Sequence, residues 1–145
     1  MNLYLDTSAL VKLYVEEEGS TAVREAVAGA EVVATVDIAY VEARAAFARR
    51  RRERRLSPGD YHRTLREFEA DWERYLVLEV TSALIRRAAR LAETRALRAY
   101  DAIHLASANL LRERLQGPIL FACWDSTLLT AAGREGLGLF RVRKG

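Results

Sequence analysis

Disulfide chemistry is closed to this chain. Its 145 residues include a single cysteine, Cys123, which cannot make an internal bridge and is too few for a thiolate zinc site. Prolines are equally scarce, Pro58 and Pro118 alone, and no Pro/Gly/Ser-rich joint divides the sequence. Lysine is nearly missing as well: of 23 basic residues only Lys12 and Lys144 are lysines, and the remainder are arginines. The longest apolar run, Ile119 to Trp124, is far short of the ~20 residues that span a bilayer, and Asp6 and Lys12 interrupt any signal-like start. These absences exclude a disulfide scaffold and a membrane span, and they predict one soluble, cytoplasmic domain over residues 1–145.

What is present is the making of a core and a solvated shell. Apolar residues make up 50% and charged residues 30%, with a net charge of +3 and a sequence pI near 9.3. So small an excess permits a polyanionic partner without requiring one, and the placement of the charges matters more than their sum. The pattern along the chain alternates. Asn2 to Leu5 and Glu31 to Thr35 read as short buried strands, and Ser8 to Tyr14 and Thr21 to Ala28 as helices. Asp37 can cap a long helix to about Arg55, with Ile38, Val41 and Ala45 as its apolar stripe. Ser57, Pro58 and Asp60 then supply an N-cap, a first-turn proline and an early acid for a second helix. Tyr61, Leu65, Phe68 and Trp72 line one face of it, so residues 37–74 form a helical hairpin. Tyr75 to Val80 is strand-like, Ser82 to Arg95 helical, and a helix from Asp101 to Leu115 is apolar on almost every side. Gly117-Pro118 ends that helix before a buried strand, Ile119 to Cys123, a helix capped by Asp125, and a last strand, Leu139 to Val142. Strands alternating with helices predict an α/β sandwich around a mainly parallel sheet.

Ligands of such sheets bind beyond the carboxyl ends of the strands. Asp6 follows the first strand and Asp125 the fourth, while Asp101 opens the central helix. Each of the three also suits a helix cap. Glu42 does not: the predicted stripe turns it toward the sheet, where a carboxylate needs either an arginine or a metal ion as partner. Four acids converging on one pocket would repel one another until a cation bound, and hard oxygen donors select Mg²⁺ or Mn²⁺. Ser8 can add a hydroxyl contact or simply start its helix.

These residues resemble the PIN domain family and, within it, the toxin ribonucleases of VapBC toxin–antitoxin modules. The likeness is carried by Leu5-Asp6-Thr7-Ser8-Ala9-Leu10, by Glu42 in Ala39-Tyr40-Val41-Glu42, by Tyr100-Asp101-Ala102-Ile103-His104-Leu105-Ala106, and by Trp124-Asp125 with Ala131-Ala132 and Gly136-Leu137 beyond it. It implies a PIN-like three-layer α/β/α sandwich with a protruding helical hairpin. It also implies a metal-dependent endoribonuclease in which Asp6, Glu42, Asp101 and Asp125 bind Mg²⁺ or Mn²⁺, directly or through water. Cys123 departs from the pattern, since a Thr or Ser often lies two residues before the last acid, and Ser126 or Thr127 is the available substitute. The family further implies a homodimer and a VapB-like antitoxin whose tail covers the acids.

Metal-activated water would remove the need for a side-chain base, which suits a sequence whose only histidines are His62 and His104. His104, three residues after Asp101, reads as a core-edge residue or as a contact behind the acids. Arg49, Arg50, Arg51 and Arg52 form either a solvated helix end or a phosphate-binding surface for RNA. A non-catalytic RNA-binding or antitoxin-sequestering module is the alternative reading. Retention of all four acids weighs against it, because an unfilled acid cluster costs stability.

Overall fold

Five short runs of apolar and β-branched residues pair into one parallel sheet. The computed structural model describes residues 1–140. Strands β1 (Asn2–Leu5), β2 (Val32–Val36), β3 (Leu76–Leu78), β4 (Ile119–Ala122) and β5 (Gly138–Leu139) stand in the order β3-β2-β1-β4-β5. Every pairing is parallel, with Leu3 opposite Val33 on one side and Leu120 on the other. Parallel neighbours require crossovers, and seven helices supply them: α1 (Thr7–Val11), α2 (Ser20–Gly29), α3 (Ile38–Arg52), α4 (Pro58–Trp72), α5 (Ser82–Arg95), α6 (Ala99–Leu115) and α7 (Ser126–Arg134).

Alternation along β1 divides the core in two. Leu3 and Leu5 point into a cluster with residues of α1 to α4, while Tyr4 points into the opposite cluster with α5, α6 and α7. The result is a three-layer α/β/α sandwich, as the sequence predicts. Helix α6 is the central packing element, with Ala102, Leu105, Ala106, Ala108 and Leu111 all buried. Helices α3 and α4 form the expected hairpin, closed by Phe47 and Phe68 in edge-on contact and by Tyr14, Tyr40 and Trp72 around Phe68. Ser57 accepts a hydrogen bond from the Asp60 amide, which satisfies one of the free N–H groups at the start of α4. No helix among the described residues is long and apolar enough to cross a membrane.

Several boundaries and one helix face differ from the sequence reading. Helix α1 stops at Val11 rather than Tyr14, because the amides of Lys12, Leu13 and Tyr14 bond three residues back, to Ala9, Leu10 and Val11, and so form turns. Asp37 precedes α3 but makes no side-chain cap there, and accepts instead from the Val80 amide. The buried stripe of α3 is Ala39, Ala43 and Phe47, whereas Val41 is 63% exposed and Ala45 is also exposed. Alanines and arginines occupy most of this helix and leave its packing face undefined, so Phe47 sets its phase by meeting Phe68. Asp101 is the third residue of α6 rather than its cap, a position held by Arg98. The last strand is the pair Gly138–Leu139, and Val142 lies outside the described residues.

Candidate active site

Strands β1 and β4 are neighbours, yet the chain leaves β1 toward β2 on one side and reaches β4 from the other. Their carboxyl ends therefore mark a topological switch point, where a crevice opens between diverging connections. The Asp6 amide extends the ladder by donating to Ala122 O at 3.1 Å, which fixes Asp6 at that crevice. Its side chain caps α1: Oδ1 accepts from the Ala9 amide at 2.9 Å and from Ser8 Oγ at 2.7 Å. Among the described residues nothing donates to Oδ2. Capping and a ligand role are thus compatible in one carboxylate, because the cap occupies a single oxygen.

Asp125 repeats the arrangement after β4, with Oδ1 accepting from the Leu128 amide at 2.8 Å. Its Oδ2 lies 3.4 Å from Nη2 of Arg98, and the same nitrogen is 3.1 Å from Asp101 Oδ2. One exposed guanidinium therefore bridges two of the acids. Its spacing of three from Asp101 is a local signal for the first of these contacts, whereas the second arises only where α6 begins beside α7.

Glu42 pairs with no arginine among the described residues. Its Oε1 accepts from Thr7 Oγ1 at 2.8 Å and lies 3.1 Å from His104 Nε2. Since Nε2 faces a carboxylate oxygen, that nitrogen carries a hydrogen, and Nδ1 lies 2.9 Å from Tyr4 OH. His104 is only 2% exposed and stands behind the crevice as the support of Glu42. A buried histidine between a tyrosine and a glutamate is a tertiary arrangement, and the one available sign of it was its spacing of three from Asp101.

The electrostatics bind these groups together. Burial pushes the Asp6 carboxyl above the ordinary range, and the charge of Asp101 adds to that; His104, Ser8 and the Ala9 amide pull the other way. Burial also acts upward on Glu42, but the hydrogen bond and charge of His104, with the Thr7 hydroxyl, outweigh it and hold Glu42 below the usual value. Cys123 rises to about 12, chiefly through burial and then through the charge of Asp6, with Asp125 and Asp101 contributing.

A family model described as the PIN domain matches residues 3–116. The chain belongs to the PIN domain family. Two relatives, Ribonuclease VapC45 of Mycobacterium tuberculosis (strain CDC 1551 / Oshkosh) and Ribonuclease VapC49 of the H37Rv strain, are each 34% identical to it over 134 residues, covering 92% of this chain and 91% of theirs. The crystal structure of PAE2754 from Pyrobaculum aerophilum shares the fold, with a TM-score of 0.62 at 23% identity over 90% of this chain and 84% of that one.

Within this PIN domain the predicted residues fall into two groups. Asp6 and Asp125 stand at the carboxyl ends of β1 and β4, Arg98 joins Asp101 to Asp125, and Glu42 bonds to Thr7 and His104. No three His, Cys, Asp or Glu side chains among the described residues stand close enough to enclose one ion as they are arranged. The donor set itself suits a hard divalent cation: all four are carboxylates, and two of them already gather a cationic group in Arg98. Ser8 holds Asp6 and accepts from the Trp124 amide at 3.3 Å, tying the two strand ends together. Arg49 to Arg52 lie apart at the end of α3. Arg49 pairs with Glu53, and Arg50 turns inward to Glu17 at 2.9 Å.

Proposed function

We propose that this PIN-domain protein is a metal-dependent endoribonuclease and the toxin of a type II toxin–antitoxin module. The observation that carries the reading is the placing of Asp6 and Asp125 at the carboxyl ends of neighbouring strands β1 and β4, with Arg98 joining Asp125 to Asp101 and with Thr7 and His104 holding Glu42. Two relatives at 34% identity that bear the name ribonuclease support the same conclusion. Asp6, Glu42, Asp101 and Asp125 would hold Mg²⁺ or Mn²⁺. Such an ion, when bound, supplies hydroxide from water near neutral pH and stabilises charge on a phosphodiester oxygen.

The chain's own groups set the remaining conditions. Asp6 keeps Oδ2 free because Ser8 and Ala9 take Oδ1. His104 and Thr7 hold Glu42 ionised and oriented. Arg98 can leave Asp101 and Asp125 for an RNA phosphate, since its side chain is 79% exposed. Arg49, Arg51 and Arg52, at the exposed end of the hairpin, would hold further phosphates, with Arg50 fixing that end of the helix to Glu17. Val41 and Tyr100, the neighbours of Glu42 and Asp101, expose 63% and 60% of their surface and offer apolar contacts to the tail of a VapB-like antitoxin. The active unit in this reading is a homodimer in the cytoplasm.

The test is cleavage of end-labelled structured RNAs with Mg²⁺ or Mn²⁺, beside chelator and an identically prepared Asp101→Asn protein. Metal-dependent cuts ending in 5′-phosphate and 3′-hydroxyl, reduced in the variant by a factor of ~10² or more, are expected. Equal behaviour of wild type and variant would reject catalysis.

A further inference from the structure

A second cleft, of about 270 Å³, opens along α7 and is lined by Arg95, Ser126, Thr127, Thr130, Ala131 and Arg134. Its lining contains two guanidinium groups, three hydroxyls and no acid. The residues from α7 form one stripe: Ser126, Thr130 and Arg134 recur at four-residue intervals, with Thr127 and Ala131 beside them, so the cleft runs down a single helix face from Asp125. Arg95 closes it from the end of α5. Glu135 holds that guanidinium through Nε at 3.1 Å and Nη2 at 2.5 Å, which fixes its plane and leaves Nη1 without a hydrogen-bond partner among the described residues. Arg134 makes no ion pair among the described residues and is exposed. An arginine whose Nη1 stays open beside Glu135 and a second, exposed arginine line one cleft with three hydroxyls, which is the chemistry of phosphate recognition.

We propose that this cleft binds a backbone phosphate of the RNA strand, beyond the acids on the α7 side, and so sets the path of the strand across the crevice. The inference rests on the ribonuclease reading. It adds a subsite to that reading and a reason for Ser126 and Thr127: their hydroxyls line this cleft, and no hydrogen bond joins them to the four acids among the described residues. The strand would then meet positive groups in this cleft as well as at Arg98, which pairs with Asp101 and Asp125.

Thr130→Glu tests the proposal with little risk to folding, because a glutamate four residues before Arg134 makes a favourable helical pair while cancelling the positive charge of the cleft. Thr130→Gln adds similar bulk without charge. Binding of a fluorescent oligouridine is measured in chelator as a function of salt, so that cleavage does not enter the readout, and thermal unfolding is followed alongside. Expected for Thr130→Glu are an unchanged melting temperature, about tenfold or greater loss of affinity, and a salt slope shallower by ~0.7 for each phosphate that the cleft no longer neutralises. Thr130→Gln and Arg66→Ala, the latter an exposed residue of α4 outside the cleft lining, should stay within about threefold of wild type in affinity, the range expected while the charges of the cleft stay intact. Wild-type affinity and slope in Thr130→Glu, in a protein that binds and cleaves RNA, would overturn the cleft alone. Equal losses in the Glu and Gln variants would also overturn it, by showing that bulk rather than charge matters. A wild-type protein that neither binds nor cleaves RNA would bring down the cleft and the ribonuclease reading together.

Discussion

Asp6 carries two obligations that pull against each other. As a cap it stabilises α1 through Oδ1, and as a buried carboxylate beside Asp101 it resists ionisation. A group whose pKa is raised by folding stabilises the native state below its unfolded value, and that contribution is lost as pH rises through the folded one. Metal-free wild type therefore carries a penalty at neutral pH. Asparagine keeps an oxygen for the Ser8 and Ala9 donors but has no proton to lose. Asp6→Asn in chelator should match or exceed wild-type stability at pH 7.5, and its advantage should shrink as pH falls below the ordinary aspartate range. Urea midpoints at several pH values decide this, and a variant weaker than wild type at neutral pH would mean that the cap dominates. Gly19 makes a sharper demand on space. It sits at φ 92°, and a Cβ there would lie 2.4 Å from Trp124 Cζ2, in the ring over which Lys12 Nζ stands at 4.6 Å. Gly19→Ala should cost about 2 kcal/mol or more in denaturant unfolding. Because the Trp124 amide is bonded to Ser8, RNA cleavage should fall in that variant as well.

Helix α3 shows how one element divides its charges. Arg50 is 17% exposed, donates to Glu17 and to Ala46 O, and keeps Nε buried without a partner, whereas Arg52 is exposed. Burial raises the Glu17 pKa, but Arg50 and Lys12 together outweigh it, so the net shift is downward. A depressed carboxylate contributes stability above its unfolded pKa and loses it as pH falls through the folded value. Arg50→Ala should therefore cost about 2 kcal/mol near neutral pH, with the difference from wild type narrowing in acid, and it should leave the salt slope of RNA binding nearly unchanged. Arg52→Ala should do the reverse, lowering the slope with no loss of stability. Sequence alone could not separate these neighbours, since the run has no internal asymmetry until Glu17 is folded against it. The same limit explains the misphased stripe on α3, where alanine leaves the packing face undefined. Where residues carry a strong local signal, the elements were legible: Ser57-Pro58 started α4, Asp125 capped α7, and the apolar surround of α6 marked it as central.

For the molecule as a whole, the placing of Asp6 and Asp125 at the carboxyl ends of β1 and β4 was readable from the strand pattern, while the contacts around the acids were not. Thr7, His104 and Arg98 reach the acids across 35, 62 and 27 residues of chain, contacts that no local pattern encodes. Together they describe a centre that is balanced provisionally. Arg98 screens two acids, His104 offsets a third, and Asp6 is left raised. A divalent ion that binds the native crevice and not the unfolded chain would complete the balance, and linkage converts its affinity into stability, about 2.7 kcal/mol at a hundred times the dissociation constant. Melting temperature should accordingly rise by several degrees with added Mn²⁺ in wild type and stay nearly flat in Asp6→Asn and Asp101→Asn. The two effects at Asp6 have opposite signs, so the order of stabilities should cross: the asparagine variant leads in chelator and wild type leads in metal. A crossing in scanning calorimetry assigns both behaviours to one carboxylate. Parallel curves for wild type and variant would separate the buried acid from metal binding and leave Asp6 with its cap alone.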